Sequence, residues 1–192
     1  MAFSNCHNLT SVNIPNNVSK ISNMAFCGCN NLESVIFSND KIEIGNYVFK
    51  DCPKLQNSEG LVIVNGVLCD CFTENVEIVL PKDVTKIGWA AFKDCSTLKS
   101  IIIPDSVSEI GWAAFNGCCS LNSIKIPSCV TDIQSETFSN CTELLEIYIP
   151  NSVTSFSKWE IFDGCPNLTI CAPIGSEAEK YAKAMNINYK QI

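Results

Sequence analysis

The chain has 192 residues, of which 46% are hydrophobic and 17% are charged. This balance excludes an intrinsically disordered chain, because enough apolar surface is available to form a core. The formal net charge of −7 excludes the basic surface of a nucleic-acid-binding protein, and no stretch approaches the ~20 apolar residues of a membrane span.

A phenylalanine returns along the chain at a nearly constant spacing. The steps are 23 residues long, apart from one of 43 and one of 24. They connect Phe3, Phe26, Phe49, Phe92, Phe115, Phe138 and Phe162. A cysteine follows each by three positions, and a leucine follows each cysteine by another three. A fixed period of about 20 to 50 residues indicates one small unit that is copied and stacked, so the sequence predicts a solenoid.

A complete unit occupies residues 98–118. Leu98, Ile101 and Ile103 have the spacing L-x-x-L-x-L, which predicts a short strand whose alternate side chains point inward. Pro104 should end this strand, because proline cannot donate a hydrogen bond to a neighbouring strand. Identical strands from successive units run parallel, so we expect a right-handed superhelix with one strand-lined face.

The second half of the unit is expected to turn the chain back. Gly111 is predicted to supply a turn through its permissive backbone angles, and Phe115 to fill the wide centre of the coil. Gly111 should therefore matter for the conformation of the backbone, and Phe115 for the packing of the core.

Thirteen cysteines suggest disulfides, but seven of them share one repeat position. Equivalent side chains in a parallel stack point the same way, whereas a disulfide needs two facing Cβ atoms about 3.8 Å apart. We therefore predict a buried ladder of reduced thiols. Its members are Cys6, Cys29, Cys52, Cys95, Cys118, Cys141 and Cys165. The pattern does not decide whether the other six cysteines are reduced or form disulfides. They are Cys27, Cys69, Cys71, Cys119, Cys129 and Cys171.

Residues 103–127 read I-P-x-x-V-x-x-I-G-x-x-A-F-x-x-C-x-x-L-x-x-I-x-I-P. This run closely resembles the BspA-like, or Treponema-type, leucine-rich repeat family, and about seven units cover residues 1–170. The resemblance implies an α/β-type solenoid from a bacterial or protist surface protein, with protein or host-surface binding and no catalytic residues. Because Phe3 already lies inside a repeat, we expect either that the chain is a fragment of a longer protein or that a neighbouring segment covers the first repeat.

Residues 56–75 add 20 residues to one period. Apolar runs at 61–64 and 67–72 flank Asn65-Gly66, the sequence that favours a type I′ turn. This segment is predicted to be a β-hairpin inserted into the array.

Residues 171–192 are predicted to cap the array. Ser176 and Glu179 form a capping-box sequence at the start of a helix that ends near Asn186. One face of this helix should cover the last coil, and a short extended segment should follow at residues 187–192. The face contains Ala178, Tyr181, Ala182 and Met185.

The solvent-facing positions of the predicted strands are the main candidate for a binding site. Several carry apolar or charged side chains in one column, and contiguous exposed apolar surface usually marks an interaction site. The candidates are Ile36, Val79, Ile102, Lys125, Glu146 and Tyr148. The alternative is that β-branched residues are present only because they favour strands.

Trp89 and Trp112 form a second candidate. They share one repeat position, directly after Gly88 and Gly111, and Ser135 interrupts the column. Neighbouring indoles about 5 Å apart along the stack can hold a sugar ring or an apolar loop of a partner. Packing between adjacent repeats is the favoured alternative.

Catalytic arrangements have little support in the sequence. His7 is the single histidine, and it lies in a loop without an evident orienting group. Cys27-x-Cys29 and Cys69-x-Cys71 lack the paired spacing of a zinc site. We therefore predict neither an enzyme nor a metal or cofactor site.

The predicted function is a non-catalytic, monomeric module that binds a protein or glycan in adhesion or host interaction. By the family resemblance, it belongs to a cell-surface or secreted protein. The alternative is a structural spacer or an intracellular scaffold repeat without its own ligand.

Overall fold

The computed structural model describes residues 2–38 and 42–192. The chain forms two compact units, Met1–Thr73 and Glu74–Ile192. The unit boundary follows directly on the segment predicted as a hairpin. In both units most turns of the chain carry one strand of three or four residues and a second strand of two.

Among its described residues, the first unit contains two parallel strand pairs and one antiparallel pair. Strand β1 pairs with β3, β2 pairs with β4, and β5 pairs antiparallel with β6. A register irregularity lies between Val62 and Ile63. The strands are β1 (Ser11–Ile14), β2 (Lys20–Ile21), β3 (Ser34–Phe37), β4 (Glu43–Ile44), β5 (Leu61–Val64) and β6 (Val67–Cys71), with a short 3-10 helix at Pro53–Leu55. The hairpin predicted at residues 61–72 thus has its antiparallel pairing, and its origin as an insertion stays a prediction.

The second unit contains ten strands and one α-helix among its described residues. Its elements are β7 (Glu77–Val79), β8 (Lys86–Ile87), β9 (Ser100–Ile102), β10 (Glu109–Ile110), β11 (Ser123–Lys125), β12 (Asp132–Ile133), β13 (Glu146–Tyr148), β14 (Ser155–Phe156), β15 (Thr169–Ala172), α1 (Glu177–Ala184) and β16 (Asn188–Gln191). Parallel pairing joins β7 to β9, β8 to β10 and β12 to β14. It also joins β11, β13, β15 and β16 in that order.

The predicted α/β class needs a correction, because the turns form a β-solenoid. The one α-helix of the described residues is α1, which lies outside the repeats. From Phe26 onward, the residue two positions before each repeated phenylalanine has a left-handed backbone, as Ala113 does with φ 52°. The residue two positions after it is also left-handed, as at Gly117 with φ 76°. Two left-handed positions so close together prevent an α-helix from forming there. The right-handed sense of the coil stays a prediction.

The repeated phenylalanines stack within each unit. In the second unit the ring centroids of Phe92 and Phe115 are 5.1 Å apart, and those of Phe115 and Phe138 are 5.5 Å apart. These three rings are fully buried. In the first unit Phe26 stacks on Phe49 at 5.6 Å. The rings are nearly parallel, with interplanar angles between 3° and 11° in these pairs. The prediction that the aromatic residue fills the coil is confirmed.

Most of the repeated cysteines are unbridged thiols that hydrogen-bond to the neighbouring turn. The Sγ atom of Cys118 donates to the carbonyl oxygen of Phe92 at 3.1 Å, and that of Cys141 donates to Phe115 at 3.2 Å. In the first unit Cys52 bonds to Phe26 in the same way, at 3.2 Å. No disulfide joins any of the thirteen cysteines, all of which lie among the described residues. Such a bond to a backbone carbonyl group is also made by Cys29 and Cys165, so that at least five of the seven ladder thiols have one. The predicted burial holds for Cys29, Cys52, Cys118 and Cys141, whereas Cys6, Cys95 and Cys165 are half-buried.

Gly111 has a different role from the predicted one. Its backbone is not left-handed, so the turn does not need glycine for its angles. A Cβ atom at this position would lie 2.6 Å from Cδ1 of Trp89 and 2.8 Å from its backbone nitrogen. Glycine is required here because the preceding turn approaches too closely for any side chain.

The predicted cap has the expected helix and one different bond. The Ser176 hydroxyl accepts a hydrogen bond from the backbone N–H of Glu179 at 3.2 Å. The Glu179 carboxylate reaches back to the N–H of Gly175, one residue before the position that a capping box predicts. At the start of the helix, the side chains of Ser176 and Glu179 therefore each accept a hydrogen bond from a backbone N–H group.

The buried face of α1 is shorter than predicted. Ala178 and Ala182 are fully buried, and the Tyr181 ring stacks on Phe156 with centroids 4.5 Å apart. Met185 was expected on this face, but it is 53% exposed, because the helix has ended at Ala184. The extended segment after the helix is β16, which pairs with β15.

Candidate functional site

The strands β7, β9, β11 and β13 of the second unit define a column of outward-facing side chains. Their central residues, Ile78, Ile101, Ile124 and Ile147, are buried. Because side chains alternate along a strand, the flanking residues face solvent. The register places Val79 beside Ile102, and Lys125 beside Tyr148. We call Val79, Ile102, Lys125 and Tyr148 the strand column.

Two aliphatic residues of the strand column are strongly exposed. Val79 is 69% exposed and Ile102 is 63% exposed, whereas the isoleucines between the outward positions are less than 8% exposed. A groove of about 730 Å³ lies beside Ile102. Its lining includes Ile102, Lys125, Tyr148 and the exposed C-terminal Ile192. Sequence reasoning missed Ile192, which lies outside the repeats.

Glu146 and Tyr148 form a polar network with the last strand. The Tyr148 hydroxyl donates a hydrogen bond to the Glu146 carboxylate, and Lys190 Nζ lies 3.0 Å from the same carboxylate. The bond from Tyr148, followed by that from Lys190, lowers the pKa of Glu146, and the same bond raises the pKa of Tyr148. The Tyr148 ring is thus held in place at the edge of the groove.

Ile36 is the corresponding residue of the first unit. It lies on β3 in register with Asn13 of β1, and it is 59% exposed. One apolar side chain beside a polar one makes a smaller apolar surface than the strand column of the second unit.

Trp89 and Trp112 are neighbours, as the repeat predicts, but they are not stacked. Their ring centroids are 6.0 Å apart and the planes are tilted by 54°. Both side chains are half-buried. Together they form one wall of a cavity of about 290 Å³. The remaining lining comes from Asp132, Ile133, Gln134, Ser135, Ser155 and Ser157. We call this space the indole cavity.

Two of the buried ladder thiols are held in the protonated, unreactive form. Burial raises the pKa of the Cys52 thiol to about 12 and also raises that of Cys29, so these thiols are protonated at neutral pH. The thiolate is the form that attacks substrates and binds metals. His7 is exposed. The described residues contain no cluster of three or more side chains suited to a metal ion. Among the same residues, no helix has the length and apolar character needed to span a bilayer.

The fold and the repeated strands define a leucine-rich repeat protein. A family model of the BspA type leucine rich repeat region matches residues 1–62 and 61–181, with six copies of the repeat. The chain therefore belongs to the BspA type leucine-rich repeat family. The model describes a repeat region, and no enzyme family is indicated.

Solved bacterial structures are similar to the chain. A leucine rich repeat protein of T. pallidum is 26% identical, with a TM-score of 0.47 over 98% of this chain and 76% of that one. A leucine rich cell surface protein from Faecalibacterium prausnitzii is 24% identical, with a TM-score of 0.51 over 92% and 63%. The pneumococcal vaccine antigen PcpA is 19% identical, with a TM-score of 0.55 over 86% and 51%.

The last two of these structures support the fold alone. The chain spans less than two thirds of the length of each, at 63% and 51%. No curated protein matches the chain.

Proposed function

We propose that the chain is a protein-binding module of a bacterial surface protein and that the strand column is its binding site. The family is a leucine-rich repeat, the kind of scaffold that offers an extended binding surface. The similar protein from Faecalibacterium prausnitzii is described as a cell surface protein, and PcpA as a vaccine antigen. Adhesion or host interaction is the role that fits such a location.

The exposure of Val79 and Ile102 is the observation that carries this proposal. The fold needs the inward isoleucines, but it does not need an aliphatic residue at the outward positions, where Lys125 and Ser123 also occur. Two large apolar groups in direct register form a contiguous patch, which is costly to leave in water and favourable to cover.

The groove beside this patch indicates the chemistry of the partner. Ile102 and Ile192 offer apolar contact, Lys125 offers a cation, and Tyr148 offers a ring held by Glu146. A protein segment with apolar side chains and a nearby carboxylate complements this set. The strands below are hydrogen-bonded and their isoleucines are buried, so the surface loses little freedom when it binds.

The test is a double substitution, Val79→Asp with Ile102→Asp, in the full chain. The matched control is Ile174→Asp, because Ile174 is 70% exposed and lies outside the strands. Binding to immobilised extracellular-matrix proteins is measured by surface plasmon resonance, and folding by circular dichroism. We expect the double variant to bind at least about tenfold more weakly, since a central hot spot is worth ~2 kcal/mol or more, and the control to bind as the unmodified chain does.

Two results would overturn the proposal. If the folded double variant binds as tightly as the control, the strand column is not the site. If the unmodified chain binds none of the matrix proteins, the alternative of a spacer without its own ligand is supported.

A further inference from the structure

The indole cavity arises where one repeat position changes its residue. Trp89 and Trp112 each follow a glycine, but one period later the pair is Gln134-Ser135. A serine in place of an indole leaves space beside the last tryptophan. The cavity of about 290 Å³ occupies this space and lies at the lower end of the volumes of ligand sites, which begin near ~300 Å³.

The walls of the indole cavity are chemically different from one another. One wall consists of the two indoles, tilted by 54° so that they form a corner. The others are formed by Ile133 and by five residues with polar side chains, namely Asp132, Gln134, Ser135, Ser155 and Ser157. The hydroxyls of Ser135 and Ser157 bond to each other. A hydroxyl pair of this kind still has one hydrogen to donate and several lone pairs to accept bonds.

We propose that the indole cavity binds one neutral pyranose ring of a glycan. A pyranose has an apolar C–H face, which suits an indole surface, and a rim of hydroxyls that donate and accept hydrogen bonds. The aromatic wall meets the first requirement, and the carboxylate, amide and serine hydroxyls meet the second. The site shares no lining residue with the groove of the strand column.

Two observations favour a sugar over the apolar side chain of a protein. Five of the eight lining residues have polar side chains, so an apolar group placed there would cover polar groups that it cannot hydrogen-bond. The hydroxyls of a sugar satisfy those groups instead. Among the described lining residues the one ionisable side chain is Asp132, which favours a neutral sugar over one that carries a carboxylate.

The test is a titration of the full chain with methyl β-D-galactopyranoside, methyl β-D-glucopyranoside and methyl α-D-mannopyranoside. Binding is followed by NMR through the indole N–H signals of Trp89 and Trp112. Trp159 serves as the internal reference, because it is 71% exposed and does not line the cavity. We expect at least one glycoside to shift the signals of Trp89 and Trp112 saturably and to leave Trp159 unchanged. N-acetylneuraminic acid, which is anionic, should shift none of them.

Two variants fill or remove the proposed site. Ser135→Trp restores the residue of the preceding repeats and should abolish the saturable shift by filling the space. Trp112→Ala should weaken binding at least about tenfold, because it removes half of the aromatic wall. Trp159→Ala is the matched control and should bind as the unmodified chain does. Circular dichroism verifies that each variant is folded.

The site is independent of the strand column if the variant with Val79→Asp and Ile102→Asp keeps sugar binding. A sugar response lost in that folded variant would contradict a separate site. The proposal is also overturned if no glycoside gives a saturable shift, if Trp159 responds as strongly as Trp112, or if the folded Ser135→Trp variant still binds.

Discussion

Two columns of side chains follow the same period in the sequence. The column of phenylalanine and cysteine continues from turn to turn, whereas the column of tryptophan is interrupted. In the second unit the first column continues through Phe92, Phe115 and Phe138, with buried rings and thiols bonded to carbonyl groups. The second column has tryptophan twice and then Ser135, where a cavity lies. A position that every turn fills serves the core. A position that changes is where this fold can have a site.

The largest effect should come from breaking the core column at its centre. Phe115→Ala removes a fully buried ring that stacks on rings on both sides. The free energy of unfolding should fall by about 3–5 kcal/mol, as measured by urea denaturation. Phe3→Ala is the control, because Phe3 is 51% exposed and its loss should have a smaller effect. Equal losses in the two variants would contradict the difference between buried and exposed members of the column.

A smaller effect should follow from removing one thiol. Cys118→Ala deletes a buried donor and leaves the carbonyl group of Phe92 without that bond. We expect the free energy of unfolding to fall by about 1–3 kcal/mol, again from urea denaturation. Cys129→Ala is the control, because Cys129 is exposed. A loss at Cys118 no larger than at Cys129 would mean that the thiol bond adds nothing to stability.

High pH should weaken the core column. Burial raises the pKa of the Cys52 thiol from an ordinary value of 9.0 to about 12. A thiol whose folded pKa is raised stabilises the fold below its unfolded pKa, and that contribution is lost as the pH rises from about 9 toward 12. The melting temperature should therefore fall as the pH rises across this range. In the Cys52→Ala variant it should fall less steeply with pH. If the melting temperature of Cys52→Ala depends on pH as steeply as that of the unmodified chain, other groups cause the loss of stability.

The smallest effect should come from the surface beside the tryptophan column. Lys86 and Glu109 lie in register on β8 and β10, with Nζ 2.8 Å from the carboxylate. Glu109→Gln should change the free energy of unfolding by less than about 1 kcal/mol, because partly exposed ion pairs contribute little. A loss as large as that of Cys118→Ala, in the same urea experiment, would place this pair among the structural elements.

The period of the sequence predicted the equivalence of positions, and much of the fold follows from that. Stacked phenylalanines, aligned thiols and buried strand isoleucines each depend on one residue type recurring at one place. The helix start at Ser176 was also predictable, because a capping box is a local signal.

Backbone conformation was harder to predict than burial. The left-handed backbone of Ala113 is unusual for alanine, so the residue type at this position did not predict it. Gly111 was assigned to a turn because glycine commonly serves there, whereas its actual reason is contact with Trp89 from the preceding turn. A contact between neighbouring turns is not visible in the local sequence.

The walls of the indole cavity were missed for a similar reason. Asp132, Gln134, Ser155 and Ser157 are ordinary polar residues in their own segments. They become a group because residues about 23 positions apart lie side by side in the stack, as Asp132 and Ser155 do. The replacement of tryptophan by Ser135 was the one signal in the sequence. It indicated where the cavity lies, but not which other residues line it.

The thiol bond also bears on how such a protein can change its length during evolution. Cys118 bonds to a residue 26 positions earlier, and so does Cys141. If a genetic event adds or deletes one 23-residue period, the next cysteine meets the phenylalanine carbonyl of a new neighbour at the same spacing. The new junction then has its donor and its acceptor. Whole turns can thus be gained or lost by duplication or deletion of the gene segment, with no buried carbonyl group left unpaired.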